Sequence, residues 1–503
     1  MLGGEHFEKP TLKSNQPWYA EMTRYHWFVL IVAALGWLFD CLDQQLFTLS
    51  RVPALKELLQ LPASHPDVKA WSGYVTSIFL IGWATGGLFF GVLGDRIGRA
   101  KTMMITILLY SLCTGLSALS VSVWDFAAYR VLTGLGVGGE FAVGVALVAE
   151  VMPESARARS LAFLQALSAV GNVSAALISL GSAQLEATGI SAWRIMFVIG
   201  ALPAFLALII RRRLKEPEKW QQARQEGTAK KKLGSYTELF KHPTWRKHAI
   251  LGLILASSGV IGLWGIGFFS ADLARAVFRD DVAVGIYDRL IEESKEKELT
   301  ADLVMLKKLE AATPAQKELV KLSETQTKLQ TDTNNKIAGK LTEWASYTLL
   351  MQQVGAFLGM YSFGYLAQRI GRRPTFAMAF FFAMLATAGV FWFLDKPSDI
   401  FWMIPIMGFF QLSIFAGYAI YFTELFPTYL RSTGTSFCYN VGRFVAATGP
   451  LILGLLTSKV FVGEAFPEPL PWRYAGVSMC GIFLLGIIVL PFCPETKGKP
   501  LPE

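Results

Sequence analysis

Twelve stretches of about 20 mostly apolar residues recur along the chain, and they restrict its fold more than any other feature. In lipid only helices and closed barrels leave no backbone group unpaired, and segments of this length match helices. The composition agrees, since 53% of the residues are hydrophobic and only 17% are charged, against about 25% charged in soluble proteins. The sequence therefore predicts an all-α membrane protein with 12 transmembrane helices, near residues 25–49, 71–94, 101–121, 124–149, 161–183, 192–211, 247–271, 344–367, 374–394, 400–422, 433–457 and 472–493.

The excess of positive charge lies in one polar segment. The formal net charge is +9, and residues 211–248 hold 12 Lys and Arg against 4 Asp and Glu. Such a linker between apolar blocks is a topology signal, so we expect no nucleic-acid partner. If the helices alternate in direction, the other arginine-rich short loops lie on the same side, which the positive-inside rule assigns to the cytoplasm. The sequence predicts a multi-pass protein of the plasma (cell inner) membrane with both termini cytoplasmic.

The apolar segments also divide the chain into regions. We expect a cytoplasmic tail at 1–24, an N-terminal six-helix half at 25–211, a basic linker at 212–246, a C-terminal six-helix half at 247–493 and a cytoplasmic tail at 494–503. Between the seventh and eighth segments, residues 279–343 are expected to form an extracytoplasmic helical hairpin, because Thr313, Pro314 and Gln316 form a helix-start signature. The alternative is a solvated, partly disordered insertion. The leucines that would join the hairpin are Leu303, Leu306, Leu309, Leu319, Leu322 and Leu329.

Three motifs occur twice in the same order. The nine residues Gly91–Arg99 recur as Gly364–Arg372, with Gln368 in place of Asp95, an offset of 273. The Glu-x-x-Pro-x-x-x-Arg motif at 150–157 recurs at 424–431, and the Trp-Arg pair at 193–194 recurs at 472–473. The sequence therefore predicts a duplicated six-helix unit, and parallel halves of this kind hold a transporter's binding site between them near the midplane.

These motifs resemble the major facilitator superfamily over nearly the whole chain. The most specific is the Gly-x-x-x-Asp-Arg-x-Gly-Arg loop at 91–99. The glycine-rich run from Arg130 to Glu140, the Asn440-x-Gly-Arg443 sequence and the closing Pro-Glu-Thr-Lys-Gly at 494–498 resemble its sugar-porter and metabolite:proton symporter branches. The resemblance implies secondary transport by alternating access, with organic-acid or sialate carriers as the nearest branch.

Five ionisable side chains fall deep within the predicted helices, where charge is costly and each is therefore a functional candidate. Asp43 and Arg130 lie about 9 Å below the outer boundary and can pair if their helices touch. Asp40 shares the face of Asp43 and is expected to point into the same cavity. With Glu140 and Arg443, three carboxylates face two guanidiniums, so one acid lacks a fixed partner and is a candidate proton carrier. Asp40, Asp43 and Glu140 are the predicted proton-coupling residues; the alternative is that one of the helix 1 acids only binds water in an outer vestibule.

Arg443 is the leading candidate for substrate binding, because its predicted position is near the midplane and its guanidinium suits a carboxylate. Asn440, one turn away, is a candidate hydrogen-bonding partner. The alternative for Arg443 is a permanent pair with Glu140 or with a helix C-terminal carbonyl, in which it only holds the halves together. The remaining predicted substrate-binding residues, for which interhelical hydrogen bonding is the alternative, are Arg130, Asn172, Gln352 and Gln411.

The repeated loop motifs are expected to act as a gate. By family resemblance, Asp95 lies near a helix C-terminus of the other half, where Asp95 and its basic neighbours hold the inner gate closed. Glu150 with Arg157, and Glu424 with Arg431, are expected to form matching ion pairs. Because Gln368 replaces the acid, charge-based gating should be stronger in the N-terminal half. The full predicted gating set is Asp95, Arg96, Arg99, Glu150, Arg157, Glu424 and Arg431.

The sequence thus predicts a proton-coupled symporter of a small organic anion. Its partners are a small solute and protons; no cofactor, metal or enzymatic activity is expected, and the chain is expected to be a monomer. The Gly134-x-Gly136-x-x-Gly139 spacing matches a dinucleotide motif, but it lies inside an apolar helix and favours close helix packing. Two alternatives remain: a proton-coupled sugar or polyol transporter, and a non-transporting nutrient sensor of the same fold.

Overall fold

The structure is a computed structural model and is built from helices. It describes residues 17–61, 66–185, 191–225, 233–294, 297–310, 322–446, 448–463 and 465–502. Among these residues, nine helices are long and apolar enough to cross a membrane. The twelve helices α1–α12 defined below form the transmembrane bundle of the all-α fold predicted from the sequence.

The N-terminal half contains six of these helices, and their ends follow local sequence signals. Thr23 begins α1 in a capping box with His26, and Ser122 begins α4 in a capping box with Asp125, which satisfies backbone N–H groups that the helix itself cannot. Pro203 follows the first part of α6 and separates it from the second. The helices are α1 Arg24–Leu59, α2 Pro66–Ile97, α3 Arg99–Ser117, α4 Val123–Val151, α5 Glu154–Leu185, and α6 as Ala192–Gly200 and Ala204–Arg213.

The C-terminal half repeats the six-helix pattern with more interruptions. In α7, Pro243–Val260 is followed by a π-helical turn at Ile261–Ile266, a 3₁₀ turn at Gly267–Phe269 and a further helix, Ser270–Glu293. Its other helices are α8 Glu324–Ile370, α9 Arg372–Phe393, α10 Ile400–Leu425, α11 in pieces over 431–460, and α12 in pieces over Leu470–Phe492. The three segments outside the set of nine are α6, which is short, α8, and α11, which is broken.

Glycines let α2 and α4 approach closely. A Cβ at Gly138 would lie 1.8 Å from the Trp83 carbonyl oxygen, and one at Gly134 would lie 2.3 Å from the Phe79 carbonyl oxygen. A side chain at either position would clash with backbone, so the glycine run in α4 serves helix packing. The same close contact fixes Trp83 of α2 in its position between the halves.

The halves meet where α2 packs against α11 and α5 packs against α8. The Ser436 hydroxyl of α11 donates to the Gly87 carbonyl of α2, and the Asn440 amide fills the space that a Cβ at Gly87 would occupy. These contacts lie toward the end of the bundle that carries the 212–246 linker, which we call the linker end. The opposite end carries the 279–343 insertion, and we call it the insertion end.

The described residues of the insertion are mostly helical, and two of their helices continue transmembrane helices. These residues form the end of α7, the separate helix Lys297–Glu310 and the first part of α8. Leu303 and Leu306 are buried among these elements, with Leu309, Leu322 and Leu329 packed at the edge. Ser323, in a capping box with Gln326, begins α8. The expected helix start at Thr313, Pro314 and Gln316, and Leu319, lie outside the described residues.

Candidate substrate site

A cavity of about 370 Å³ lies between the two halves. Five of its lining residues in α1 recur every three or four positions and form one helix face, namely Trp37, Cys41, Gln44, Thr48 and Arg51. Gln45, Phe47 and Leu49 of the same helix also line the cavity. Residues of α2, α5, α7, α8, α10 and α11 complete the wall: Thr76, Phe79, Leu80 and Trp83; Gln165, Ser168, Asn172, Val173 and Ala176; Leu263 and Trp264; Ser346, Leu349, Leu350, Gln352, Gln353 and Met360; Leu412 and Phe415; and Tyr439 and Arg443.

Arg443 lines this cavity and is held between two aromatic rings. The centre of its guanidinium lies 3.9 Å from the Trp83 ring centroid and 4.3 Å from the Tyr439 ring centroid. One Nη donates to Asn440 Oδ1 at 3.3 Å. Within the described ranges no carboxylate oxygen comes within 4.0 Å of it. The two rings favour the cation and fix its plane, so the edge of the guanidinium stays available to an anion, and the expected alternative pair with Glu140 is not formed.

Asp40 and Glu140 are buried behind the cavity wall. Each is 1% exposed, and none of their carboxylate oxygens has a hydrogen-bond partner among the residues that the structure describes. Glu140 reaches toward α1 because Gly36 leaves room: a Cβ there would lie 2.2 Å from Glu140 Oε1. The charges of Glu140, Asp43 and Arg443 all act on Asp40. The structure thus brings together two buried acids and the cavity arginine, although neither acid lines the cavity.

Asp43 and Arg130 are buried within the N-terminal half and do not line the cavity. Asp43 Oδ1 accepts from the Thr114 hydroxyl at 2.5 Å, while Arg130 donates to the Ser117 hydroxyl at 2.5 Å. The Arg130 guanidinium also lies 4.7 Å from the Phe197 ring centroid. The two charges interact through space without a direct ion pair. They face the interior of the half because the α1 face at 36, 40 and 43 contacts α3 and α4, about a quarter turn away from the face at 37, 41, 44 and 48 that lines the cavity.

The predicted amide residues divide between the cavity and the protein interior. Asn172 and Gln352 line the cavity, and Asn172 donates to Gln353 Oε1 across the halves at 3.2 Å. Gln411 does not line it; its amide donates to the Thr387 hydroxyl at 2.7 Å and joins α10 to α9. Asn440 is also outside the lining, donates to the Ser436 carbonyl and supports Arg443 from behind.

Sequence reasoning missed several polar lining residues. Arg51, Gln44 and Thr48 follow Trp37 and Cys41 at helical spacing, a signal present in the sequence. The predicted first segment, 25–49, stops before Arg51, whereas α1 continues through Pro53 to Leu59. The missed residues of α5 are Gln165 and Ser168.

At the linker end, Asp95 joins the two halves. Its carboxylate accepts from the backbone N–H groups of Ser432 at 3.1 Å and Thr433 at 2.8 Å, and from the Thr433 hydroxyl at 2.6 Å. These residues begin α11, so the partner is a helix N-terminus and not the C-terminus expected from the resemblance. The physical reason is that free N–H groups and the helix dipole stabilise an anion, whereas C-terminal carbonyls would repel it. Arg96 donates to the Leu233 carbonyl in the linker at 3.3 Å.

Glu150 connects arginines from both halves. Its Oε1 accepts from Arg99 at 2.9 Å and from Arg431 at 2.6 Å, and Arg99 also donates to the Thr428 carbonyl at 2.6 Å. The expected pairing of Glu150 with Arg157 is therefore not formed. Arg157 instead donates to the Ala149 carbonyl at 2.9 Å, because a guanidinium at the start of α5 satisfies the carbonyls that end α4.

Glu424 pairs within its own half. It binds Arg372 through both carboxylate oxygens, at 2.7 and 3.0 Å, and accepts from the Thr496 hydroxyl at 2.6 Å. The expected pair with Arg431 is absent, since Arg431 crosses to Glu150. The seven predicted gating residues do cluster at the linker end, but their partners differ from the pairs predicted by the spacing of the motifs.

Two glutamates outside the membrane-spanning segments cap the starts of α3 and α9. Glu216 accepts from the backbone N–H groups of Ala100 and Lys101, both at 3.1 Å. Glu495 accepts from the backbone N–H groups of Arg372 and Arg373, at 2.9 and 3.0 Å, and from two N–H groups of its own segment. Burial raises the pKa of Glu216 despite its N–H donors, whereas the larger set of donors outweighs burial and lowers the pKa of Glu495.

Two family models match the chain. Residues 26–243 match the family described as "Sugar (and other) transporter", and residues 334–503 match "Major Facilitator Superfamily". Together the matches cover the N-terminal half and most of the C-terminal half, and they leave out residues 1–25 and 244–333, which include nearly all of α7. The motif-based resemblance is therefore found independently in each half.

Curated relatives align over most of their length. A candidate metabolite transport protein of Haemophilus influenzae is 28% identical over 493 residues, which cover 96% of this chain and 99% of the relative. A candidate 4-methylmuconolactone transporter of Cupriavidus pinatubonensis is 29% identical, covering 92% and 89%. The cis,cis-muconate transport protein of Acinetobacter baylyi is 27% identical, covering 85% and 86%.

Among solved structures, the proton:xylose symporter XylE of E. coli is similar, with a TM-score of 0.66 at 16% identity over 95% of this chain and 98% of that one. At this identity the likeness concerns the fold alone. With a cavity between two matched halves and transport proteins as relatives along its length, the chain belongs to the major facilitator superfamily, as a membrane-integral transporter of small solutes and not an enzyme.

Proposed function

We propose that the chain is a proton-coupled symporter of a small organic anion. The observation that carries this proposal is Arg443: a guanidinium on the cavity wall, fixed between Trp83 and Tyr439, with no carboxylate oxygen within 4.0 Å in the described part of the chain. Two muconate-type relatives are named for organic acids. A substrate carboxylate is the ligand that best completes such a site, because Arg–carboxylate pairs are strong and geometrically specific.

The proton is carried by the acids behind Arg443. Asp40 and Glu140 are buried without hydrogen-bond partners in the described residues, and two nearby carboxylates cannot both remain ionised at low cost. When an anion occupies Arg443, the arginine no longer compensates Asp40, so protonation of this pair becomes more favourable. Substrate and proton therefore load together, and Asp43 with Arg130 forms a second charged site within the same half.

The orientation in the membrane and the movement of the two halves follow from the same proposal. The linker end, rich in arginine and lysine, faces the cytoplasm of a plasma membrane, with both chain termini on that side. The two halves, 25–211 and 247–493, rock around the cavity, and the contacts of Asp95, Arg99, Glu150 and Arg431 hold the linker end closed. The transport protein acts as a monomer, because both halves of the site come from one chain.

A neutral polyol is the second candidate cargo. It is favoured by the amides at one side of the cavity, where Asn172, Gln352 and Gln353 meet between α5 and α8. Amides recognise hydroxyl groups without needing a charge. Replacement of Arg443 separates the two cargoes, since only an anion depends on its charge.

The test is external alkalinisation of energy-depleted cells when monocarboxylates, dicarboxylates, aromatic acids or polyols are added at pH 6. We expect a pH rise with a carboxylate, a loss of about tenfold or more in uptake for Arg443→Gln, and uncoupled exchange for Asp40→Asn or Glu140→Gln. Asp288→Asn, on the exposed insertion, is the matched control and should behave as wild type. A pH rise with a polyol that survives Arg443→Gln would establish the second candidate instead.

A further inference from the structure

A second guanidinium lines the cavity, at Arg51 of α1. One of its Nη atoms donates to the Thr76 hydroxyl of α2 at 2.7 Å, and its Nε is buried with no hydrogen-bond partner. Within the part of the chain that the structure describes, no carboxylate oxygen lies within 4.0 Å of it. A half-buried guanidinium with unsatisfied donors is costly unless an anion completes its hydrogen bonds.

Two other arginines toward the insertion end each have such a partner. Arg194 pairs with Glu57 at 3.0 Å, and Arg279 pairs with Glu310 at 3.0 Å. Both of these pairs lie outside the cavity lining. Arg51 therefore differs from them in two respects that point to a ligand: it faces the cavity, and it has no acidic neighbour in the described structure.

Arg51 and Arg443 stand at different heights along the same cavity. Arg51 bonds to Thr76 and Arg443 stacks on Trp83, two residues of one face of α2. Seven residues of α-helix separate these contacts by about 10 Å. Phe79 and Leu80 line the wall between them. Along its length the cavity thus presents a cationic group, an apolar stretch and a second cationic group.

We propose that Arg51 forms a second anion subsite, so that the transporter selects elongated dicarboxylates, with one carboxylate on Arg443 and the other on Arg51. This inference rests on the proposed role of Arg443. Each guanidinium binds a carboxylate through paired N–H donors, and the apolar wall contacts the hydrocarbon between them. A monocarboxylate of the same length leaves the Arg51 donors unsatisfied and binds more weakly.

The test compares hexanedioate with hexanoate, which differ only in the second carboxylate, on purified full-length protein at pH 7. Dissociation constants come from calorimetry or from the fluorescence of Trp37 and Trp83, which line the cavity. We expect wild type to prefer hexanedioate by about tenfold or more. Arg51→Gln should reduce this preference to about one while retaining hexanoate binding, and Arg443→Gln should weaken both ligands.

Further variants keep the result interpretable. Arg51→Lys retains the charge and should retain part of the preference even if Arg51→Gln folds poorly, and Thr76→Val, which removes the hydroxyl that orients Arg51, should reduce it. Arg194→Gln, at the same end but outside the cavity, should leave it unchanged. Equal preference in wild type and in all Arg51 variants would overturn the dicarboxylate subsite while leaving anion transport intact. Failure of wild type to bind any carboxylate would overturn both the subsite and the proposed function.

Discussion

The two copies of the repeated loop motif show how a duplicated scaffold becomes asymmetric. In both copies a glycine with positive φ, Gly98 at +115° and Gly371 at +105°, turns the chain between helices, and a glutamate caps the next helix. The third shared feature is an arginine that binds a carbonyl of the preceding helix, at Gly94 and Ala367. The difference lies in what crosses between the halves.

The N-terminal copy makes most of the crossing contacts. Asp95 accepts three hydrogen bonds from the start of α11, and Arg99 and Arg431 meet on Glu150. In the C-terminal copy, Gln368 donates one bond to the Ser155 carbonyl at 2.6 Å, and Arg372 pairs within its own half. A carboxylate accepts from the free N–H groups of a helix start, while an amide can also donate to a carbonyl. Because Gln368 stands where the first copy has Asp95, the N-terminal copy makes three hydrogen bonds across the halves at this position and the C-terminal copy makes one.

The largest effect expected from this comparison is that of Glu150→Gln. Two buried guanidiniums would lose their shared carboxylate, a change that typically costs about 3–5 kcal/mol in a buried network. The linker end should open, so that a cysteine placed at Ser436, in the α2–α11 interface, reacts with maleimide on the order of 100-fold faster. Glu424→Gln, the matched change in the other copy, should alter this rate far less, because its arginine pair does not cross the halves. Equal acceleration by both variants would contradict the asymmetry.

A smaller effect is expected for Asp95→Asn. Asparagine keeps an acceptor for the hydrogen bonds at the α11 N-terminus but loses the charge, so these bonds are weakened and not lost; a bond to a charged group contributes about 1.5–3 kcal/mol. We expect about tenfold faster labelling of the same Ser436→Cys reporter. Gln368→Ala removes one neutral hydrogen bond and should change the rate less than about fivefold. A larger response to Gln368→Ala than to Asp95→Asn would place the main connection in the C-terminal copy.

The smallest effect concerns pH and the two capping glutamates. The pKa of Glu495 is lowered, so its ionised carboxylate stabilises the fold at pH 7. This stabilisation is lost as the pH falls through the lowered pKa. Glu495→Gln should lower Tm by about 1–2 °C at pH 7, and the difference from wild type should shrink on acidification. The measurement is thermal unfolding of purified protein between pH 4 and pH 8.

Glu216 should respond with the opposite sign. Burial raises its pKa, so the folded state disfavours ionisation of this carboxyl group. The free energy of unfolding therefore falls as the pH rises from the ordinary pKa of a glutamate through the raised pKa of Glu216. Glu216→Gln should therefore leave Tm unchanged or slightly higher at pH 7. Matching losses of Tm in both variants at pH 7 would show that the two caps are equivalent.

The sequence was sufficient for the features that depend on periodicity and duplication. Apolar length predicts the helices, and the recurrence of Gly91–Arg99 at Gly364–Arg372 predicts two related halves. The spacing of the motifs does not predict which arginine pairs with a given acid, because the partner depends on how the two halves pack against each other. Arg157 and Arg431 occupy the same place in their motifs, yet only Arg431 reaches Glu150.

The cavity was predictable only in part for a similar reason. The sequence predicts Arg443, Asn172 and Gln352 as cavity residues because polar groups are rare within apolar helices. It does not predict Arg51, because a charge near a helix end is typical of a membrane boundary, and the full length of α1 is what places this residue in the cavity. The close approach of Glu140 to α1 also depends on the space that Gly36 provides, which no spacing rule indicates.

The continuous helix Glu324–Ile370 joins the insertion directly to the cavity wall at Gln352. About 42 Å of helix separates Glu324 from Gln352. The insertion therefore amplifies small movements of α8, because a rotation of α8 by about 10° would displace the Glu324 end of this helix by about 7 Å. A spin label on exposed Lys328, paired with one on the N-terminal half, would read the angle between the halves from outside the bundle while leaving the cavity untouched.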